Sequence, residues 1–261
     1  MSQSPLRLLA WPLGLAACFW LSACASNPYS SAVAPASSAG EAISGPARGA
    51  LYVSSDLFNV GAWIAPPPEE GSAQQRTELE ELRTIEAKRT MADLAIAVRD
   101  DRQMDIFIFS DVMGLRFSSS NLPQTAELGR QVRQDVTLLD NAAKAHFKRP
   151  RPWVVDPNLI GCPLSVGRPS NAAYPSGHAA NGYGFGIALA AIVPEKADAI
   201  MARAKSYAYS RMICGLHFRS DVEASVVVAA VAVQDMMNNP RFRAQLDAAR
   251  RELQSAGLAS R

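Results

Sequence analysis

PSGHAANGYGFGIALAAIVP, residues 175–194, is the stretch on which the reading of this chain turns. From Ala179 to Val193 the side chains are nearly all apolar and small, with no charge, which is the composition of a helix buried on every side. Ser176 is a good N-cap, and Gly177 lets the backbone approach a ligand closely. Pro194 sits where a further helix starts. The apolar run falls short of the roughly 20 residues that a bilayer demands, so it is read as a core helix.

Outward from this stretch the helical period recurs. Residues 77–99 place Leu79, Leu82, Ile85, Leu94 and Val98 on one side, with charges elsewhere. Residues 124–144 carry Leu128, Val132, Val136, Leu139 and Ala143 at steps of four and three. The helix begun at Pro194 runs through Ala197, Ile200, Met201, Ala204 and Ala208. Ser220-Asp221-Val222-Glu223 reads as a capping box that opens the last buried helix, from Val226 to Met236. Ile106-Phe107-Ile108-Phe109 has strand-like composition within a helical context. No repeat and no alternating strand–helix pattern is present. The expected class is all-α, a single helical-bundle domain.

The N-terminus reads as a targeting segment. Arg7 supplies the positive charge and residues 8–21 the apolar stretch, interrupted by Pro12. Leu21-Ser22-Ala23-Cys24 resembles a bacterial lipobox, in which Cys24 would be lipidated; the competing reading is ordinary signal-peptide cleavage near Ala25. Residues 25–50, rich in Ala, Ser, Pro and Gly, read as a flexible tether, and residues 51–261 as the folded domain. The protein is therefore expected to be exported and periplasmic, tied to the outer membrane by a lipid anchor only. The mature domain keeps Cys162 and Cys214. Sequence leaves them open as a disulfide or as two buried thiols, and an even pair in an exported domain favours the bridge. A net charge of +2 on 261 residues gives no field for nucleic acid. No His/Cys/carboxylate cluster has metal-ligand spacing.

Three clusters between Lys144 and Asp221 carry chemistry. Lys144 is followed after six residues by Arg151-Pro152. Pro175-Ser176-Gly177-His178 comes next. Ser210-Arg211 then leads, after five residues, to His217 and, after three more, to Asp221. Lys144 lies on the apolar side of its helix, and Arg211 follows Ala204 and Ala208 at steps of four and three. Both cations are thus expected to point inward. A buried cation without a partner is costly. No neighbouring carboxylate is evident in the sequence, so a bound phosphate is the expected counter-charge. The free N–H groups at the start of the Gly177 helix offer an anion site, and Lys144, Arg151 and Arg211 could supply charge-assisted hydrogen bonds. Two of the chain's three histidines fall in these clusters. Phosphoryl transfer needs a nucleophile on one side of phosphorus and an acid on the other, roles open to His217 and His178. Asp221 is placed to accept Nδ1–H from His217 and leave Nε2 free to attack.

The three motifs, in order and at these spacings, resemble the signature of the type 2 phosphatidic acid phosphatase superfamily, and the surroundings are similar to bacterial class A acid phosphatases. The supporting residues are Pro66-Pro67-Pro68, the run Lys148 to Pro152, Tyr174 and Ile213-Cys214-Gly215. The resemblance implies an all-α fold of the acid phosphatase and vanadium haloperoxidase type. It also implies hydrolysis of small-molecule phosphomonoesters with no cofactor and no metal, and is compatible with a homodimer. Residue by residue, His217 resembles the nucleophile and His178 the general acid. Lys144, Arg151, Ser176, Gly177 and Arg211 resemble the phosphate ligands, and Asp221 the residue that orients the nucleophile. Lipid-phosphate phosphatases and vanadium-dependent haloperoxidases share the motifs and stand as alternatives. Outside the motifs, His146 is read as structural, the acid-rich run 69–86 as an exposed helix face, and Lys148 and Arg149 as either solvated surface or an anion-steering patch.

Overall fold

A computed structural model describes residues 49–162 and 167–260. The leader, Cys24 and all but the end of the tether lie outside the described residues. Helices run from α1 (Ala73–Lys88) and α2 (Met91–Arg102) through a short α3 (Ser110–Met113) to the long α4 (Pro123–Phe147) and a one-turn α5 (Pro152–Val155). α6 (Gly177–Ile192), α7 (Ala197–Ile213), α8 (Arg219–Met237) and α9 (Pro240–Ser255) complete the bundle. No β-strand occurs among the described residues, as the all-α reading expects, and no described helix is long and apolar enough to cross a membrane.

α6 is the centre, packed against α4, α7 and α8. Its small residues set how close the neighbours come. A Cβ at Gly184 would stand 3.0 Å from Val136 and 3.1 Å from Val132 on α4. A Cβ at Gly182 would stand 2.5 Å from the ring of Tyr207 on α7. That ring is fully buried, and its hydroxyl donates to the Gln103 carbonyl at 2.7 Å.

Several boundaries differ from expectation. The helix expected over residues 77–99 is two helices. Thr90 opens the second with a true capping box, its hydroxyl accepting from Asp93 N–H while Asp93 accepts from Thr90 N–H. The strand-like run at Ile106–Phe109 is a 3₁₀ turn buried by its apolar side chains. α8 begins earlier than expected: its N-cap is Phe218, whose N–H donates to the Asp221 carboxylate at 2.8 Å. α9, absent from the sequence reading, follows Asn239-Pro240 and buries Phe242, Leu246, Ala249 and Leu253.

α9 also completes α4. The N-cap of α4 is Leu122, which offers no side-chain acceptor. Glu252 of α9 accepts instead from the N–H groups of Gln124 at 2.9 Å and Thr125 at 2.8 Å, placing an anion at the positive end of the helix. At the same helix, buried Asp135 accepts from the N–H groups of Leu51, Tyr52 and Val53 and fastens the chain that precedes α1. Cys162 and Cys214 are joined by a disulfide, with their Cα atoms 4.7 Å apart.

The α6–α7 contact predicts that Gly182→Ala destabilises the protein. Overpacking against a ring that cannot yield costs about 1–3 kcal/mol, and the gain in helix propensity offsets about 1 kcal/mol of it. Urea unfolding of the variant should show a lower midpoint at unchanged slope.

Candidate active site

The three motifs come from five different elements. Lys144 lies in the last turn of α4, and Arg151 is the N-cap of α5. Ser176 is the N-cap of α6, followed by Gly177 and His178 in its first turn. Arg211 lies in the last turn of α7, and Asp221 is the third residue of α8. His217 sits on the turn between α7 and α8, which Gly215 opens at φ +62°, a conformation that favours glycine. Arg151, Ser176, Arg211, His217 and Asp221 are all buried.

The tautomer of His217 follows from its contacts. Nδ1 lies 2.7 Å from the Ala173 carbonyl, an acceptor only, so Nδ1 carries the proton. Nε2 lies 2.6 Å from Arg151 Nη1, a donor only, so Nε2 presents its lone pair. Burial, then Arg151, Lys144 and Arg211, hold the ring well below the usual imidazole range, in its neutral form. The orienting acceptor differs from the expected one. Asp221 Oδ2 is 3.4 Å from Nδ1, close enough to act as counter-charge, while the backbone of Ala173 takes the hydrogen bond.

The inward cations do have carboxylate partners, contrary to the expectation that none is near. Lys144 Nζ pairs with Asp140, four residues earlier on α4, at 3.0 Å, and donates to the Pro175 carbonyl. Arg211, fully buried, pairs with Asp101 at the end of α2, which also takes Arg168 at 2.6 Å. His178 Nε2 lies 3.1 Å from the Asp101 carbonyl. Burial pushes the Asp140 carboxyl up and the Lys144 ammonium down, and the pair opposes both shifts. Gly177 owes its lack of a side chain to the same pair: a Cβ there would stand 2.7 Å from Asp140 Oδ2.

Donors remain beyond these pairs. Among the described residues, the buried side-chain atoms without a hydrogen-bond partner include Arg151 Nε, Arg211 Nε and Nη1, and Ser176 Oγ. Ser176 holds the N-cap position without capping, so its hydroxyl is uncommitted. Four of the seven such atoms belong to three motif residues, and buried polar atoms are otherwise satisfied almost throughout a folded protein. An anion with several oxygens would satisfy them. Burial lowers Arg151 to about 10, so it remains cationic, and lowers Arg211 too, with the Asp101 carboxylate opposing that shift.

Two further readings are corrected. Arg149 is neither solvated nor a steering residue: it is 3% exposed and ion-paired to Glu78 and Asp221. Glu78, within the run expected to be an exposed face, is 6% exposed. Sequence reasoning missed Asp101, Asp140, Glu78 and the Ala173 carbonyl. Of these only Asp140, four residues before Lys144 on one helix face, left a local signal.

The chain is similar to known proteins over the stretch that carries these residues. The family profile described as PAP2 superfamily matches residues 136–243, which spans all three motifs. An acid phosphatase of Zymomonas mobilis subsp. mobilis is 27% identical over 198 residues, covering 74% of this chain and 75% of that protein. A non-specific acid phosphatase of Providencia stuartii is 30% identical over 199 residues, covering 73% of this chain and 79% of that protein. One from Salmonella typhimurium is 32% identical over 148 residues, 56% of this chain and 59% of that protein. With an all-helical bundle, the motif residues gathered at one end of α6 and a relative matched over most of both lengths, this chain belongs to the PAP2 superfamily.

Proposed function

We propose that the protein is an acid phosphatase that hydrolyses phosphomonoesters through a phosphohistidine intermediate on His217, without a metal ion. The observation that carries this reading is the contact of His217 Nε2 with Arg151 Nη1 at 2.6 Å. It sets the unprotonated nitrogen against a cation whose Nη1 also donates to the Leu216 carbonyl and whose buried Nε has no partner, leaving a donor for an incoming phosphoryl group. The relatives named acid phosphatase support the reaction class.

In the first step Nε2 attacks phosphorus in line with the ester oxygen. The N–P bond forms, the P–O bond breaks, and His178 gives its proton to the leaving alkoxide. Arg151, Arg211 and Lys144, with Ser176 Oγ and the N–H groups at the start of α6, hold the equatorial oxygens and take the role that a divalent cation fills elsewhere. In the second step water attacks phosphorus, its proton passes to His178, and the N–P bond breaks. Asp221, beside Nδ1, offsets the positive charge of the phosphorylated ring. Residues 1–24 and the Cys162–Cys214 bridge support export to an oxidising compartment, with Cys24 as the lipid attachment point.

The acid preference follows from His178. Burial, then Arg211, lowers its pKa to about 3, so the ring is neutral at pH 5 in the free site. A phosphomonoester monoanion brings a proton of its own, with a pKa of about 6. Transfer of that proton to His178, as the ester's negative charge settles on the guanidinium groups, gives the acid that the leaving oxygen needs.

His217→Ala should abolish turnover, and retained activity would sink the mechanism. During turnover of a 32P-labelled ester, an alkaline quench should recover label on the protein and an acid quench should lose it, because phosphohistidine is acid-labile. Exhaustive dialysis against a chelator should leave the rate unchanged. The alkaline fall of kcat/KM should lie near pH 6 and track the second pKa of the substrate; a limb that stays fixed across esters of different second pKa would refute proton delivery by the monoanion.

A further inference from the structure

Arg149 lies inside the spacer of the first motif, two residues before Arg151, and its guanidinium faces away from solvent. Nη1 donates to Asp221 Oδ1 at 2.5 Å and to Ser220 Oγ at 2.7 Å. Nη2 donates to Glu78 Oε2 at 2.9 Å, and the guanidinium carbon lies 4.1 Å from the centre of the Phe218 ring. Glu78 in turn accepts from the Ser220 N–H at 2.9 Å, which ties α1 to the start of α8. The backbone of Arg149 is committed as well. Its carbonyl accepts from Ala173 N–H at 3.1 Å, and the Ala173 carbonyl is the acceptor for His217 Nδ1. Both groups behind the His217 ring therefore hang from one residue.

We propose that Arg149, anchored by Glu78, is a positioning residue for the nucleophile, holding the Ala173 carbonyl through its backbone and the Asp221 carboxylate through its side chain. The inference rests on His217 being the nucleophile. A buried ion pair of this kind is weak evidence for stability, because desolvation cancels most of the attraction. Its value here lies in what it fixes. Asp221 is fully buried and 3.4 Å from a ring that becomes cationic on phosphorylation. A carboxyl in that place serves only while it is ionised and immobile.

The charged and titratable groups around Asp221 are few. Arg149 contacts it from the loop after α4, and His217 from the turn before α8. Lys144, Arg151 and Tyr174 act on it from a greater distance. Glu78 reaches it through Arg149 and Ser220. Burial pushes the Asp221 carboxyl up to about 7 in the free site, where His217 is neutral; Arg149 is the largest influence in the opposite direction, and the cationic ring of the phosphorylated intermediate, 3.4 Å away, lowers the carboxyl further, so it is ionised there within the acid working range. Removal of the guanidinium raises the carboxyl further, so its ionised form survives only at higher pH. The acid limb of kcat then moves up. Removal of the Glu78 charge has the opposite sign, because it takes a competing anion from Arg149.

The test compares Arg149→Met, Arg149→Lys and Glu78→Gln in the full chain, by kcat and KM across pH and by inhibition with inorganic phosphate. Arg149→Met should lower kcat roughly 10- to 100-fold, the range for residues that orient a reactive group from behind. Its acid limb should rise by about one pH unit, with KM and phosphate inhibition within about threefold, since the phosphate donors are untouched. Arg149→Lys, which keeps the charge without the guanidinium fork, should leave the limb between those of the parent and Arg149→Met and recover part of kcat. Glu78→Gln should lower kcat with the limb displaced downward. If Arg149→Met does not fold, the Lys and Gln variants carry the comparison through the opposite directions of their limbs. Loss of kcat with the parental pH profile in every folded variant, or a change confined to KM, overturns the proposal. Turnover by His217→Ala is a separate result: it would remove the nucleophile itself, whatever the Arg149 variants do.

Discussion

Positive charge inside an apolar bundle is the constraint to which the rest of this structure answers. Lys144, Arg149, Arg151 and Arg211 converge on one end of α6, at least partly withdrawn from water. Isolated there, each would be prohibitively costly. The fold meets the cost with carboxylates from separate elements: Asp140 from α4, Asp101 from α2, Glu78 from α1 and Asp221 from α8. The neutralisation is incomplete by design of the geometry. A guanidinium carries five donors, and one carboxylate cannot occupy them all. The donors left over on Arg151 and Arg211, with the Ser176 hydroxyl, are those that the proposed function gives to a compact, multiply charged oxyanion.

This arrangement separates two tasks that a sequence motif runs together. Within each motif the residues proposed to meet substrate are close in sequence and fixed in spacing, since a helix end and a turn allow little variation. The residues that keep them charged and still are distant. Asp101 is 110 residues from Arg211, and Glu78 is 71 from Arg149. Local pattern therefore exposed the first set and could not expose the second. Asp140 is the exception, because four residues on a helix is a spacing that sequence can show. The Ala173 carbonyl is the opposite extreme: any residue supplies a carbonyl, so no side chain advertises it.

The same physics explains which helices were legible. α4 and α6 declare themselves, one by a long apolar stripe and the other by being apolar throughout. The division between α1 and α2 rests on Thr90 and Asp93, a three-residue signal that a continuing apolar period overrides unless caps are sought first. α8 shows a related ambiguity. Asp221 lies at a helix start, as the sequence leads one to expect, but its carboxylate accepts from the Phe218 N–H, while Ser220, the expected cap, is engaged by Glu78 and Arg149. Tertiary partners claimed the side chain that local rules would have used.

The acceptor that Glu252 lends to the start of α4 has a consequence for the order in which the molecule can be assembled. Chain synthesis runs at about 5–20 residues per second, so residue 252 follows residue 124 by several seconds at least. During that interval the amides of Gln124 and Thr125 lack their native acceptor, and α4 lacks its packing against α9. Every motif residue has by then been made. The three motifs are thus complete as a polymer well before the helix that carries Lys144 is complete as a structure. A nascent or truncated chain ending before α9 would hold every motif residue on a scaffold still waiting for its last wall.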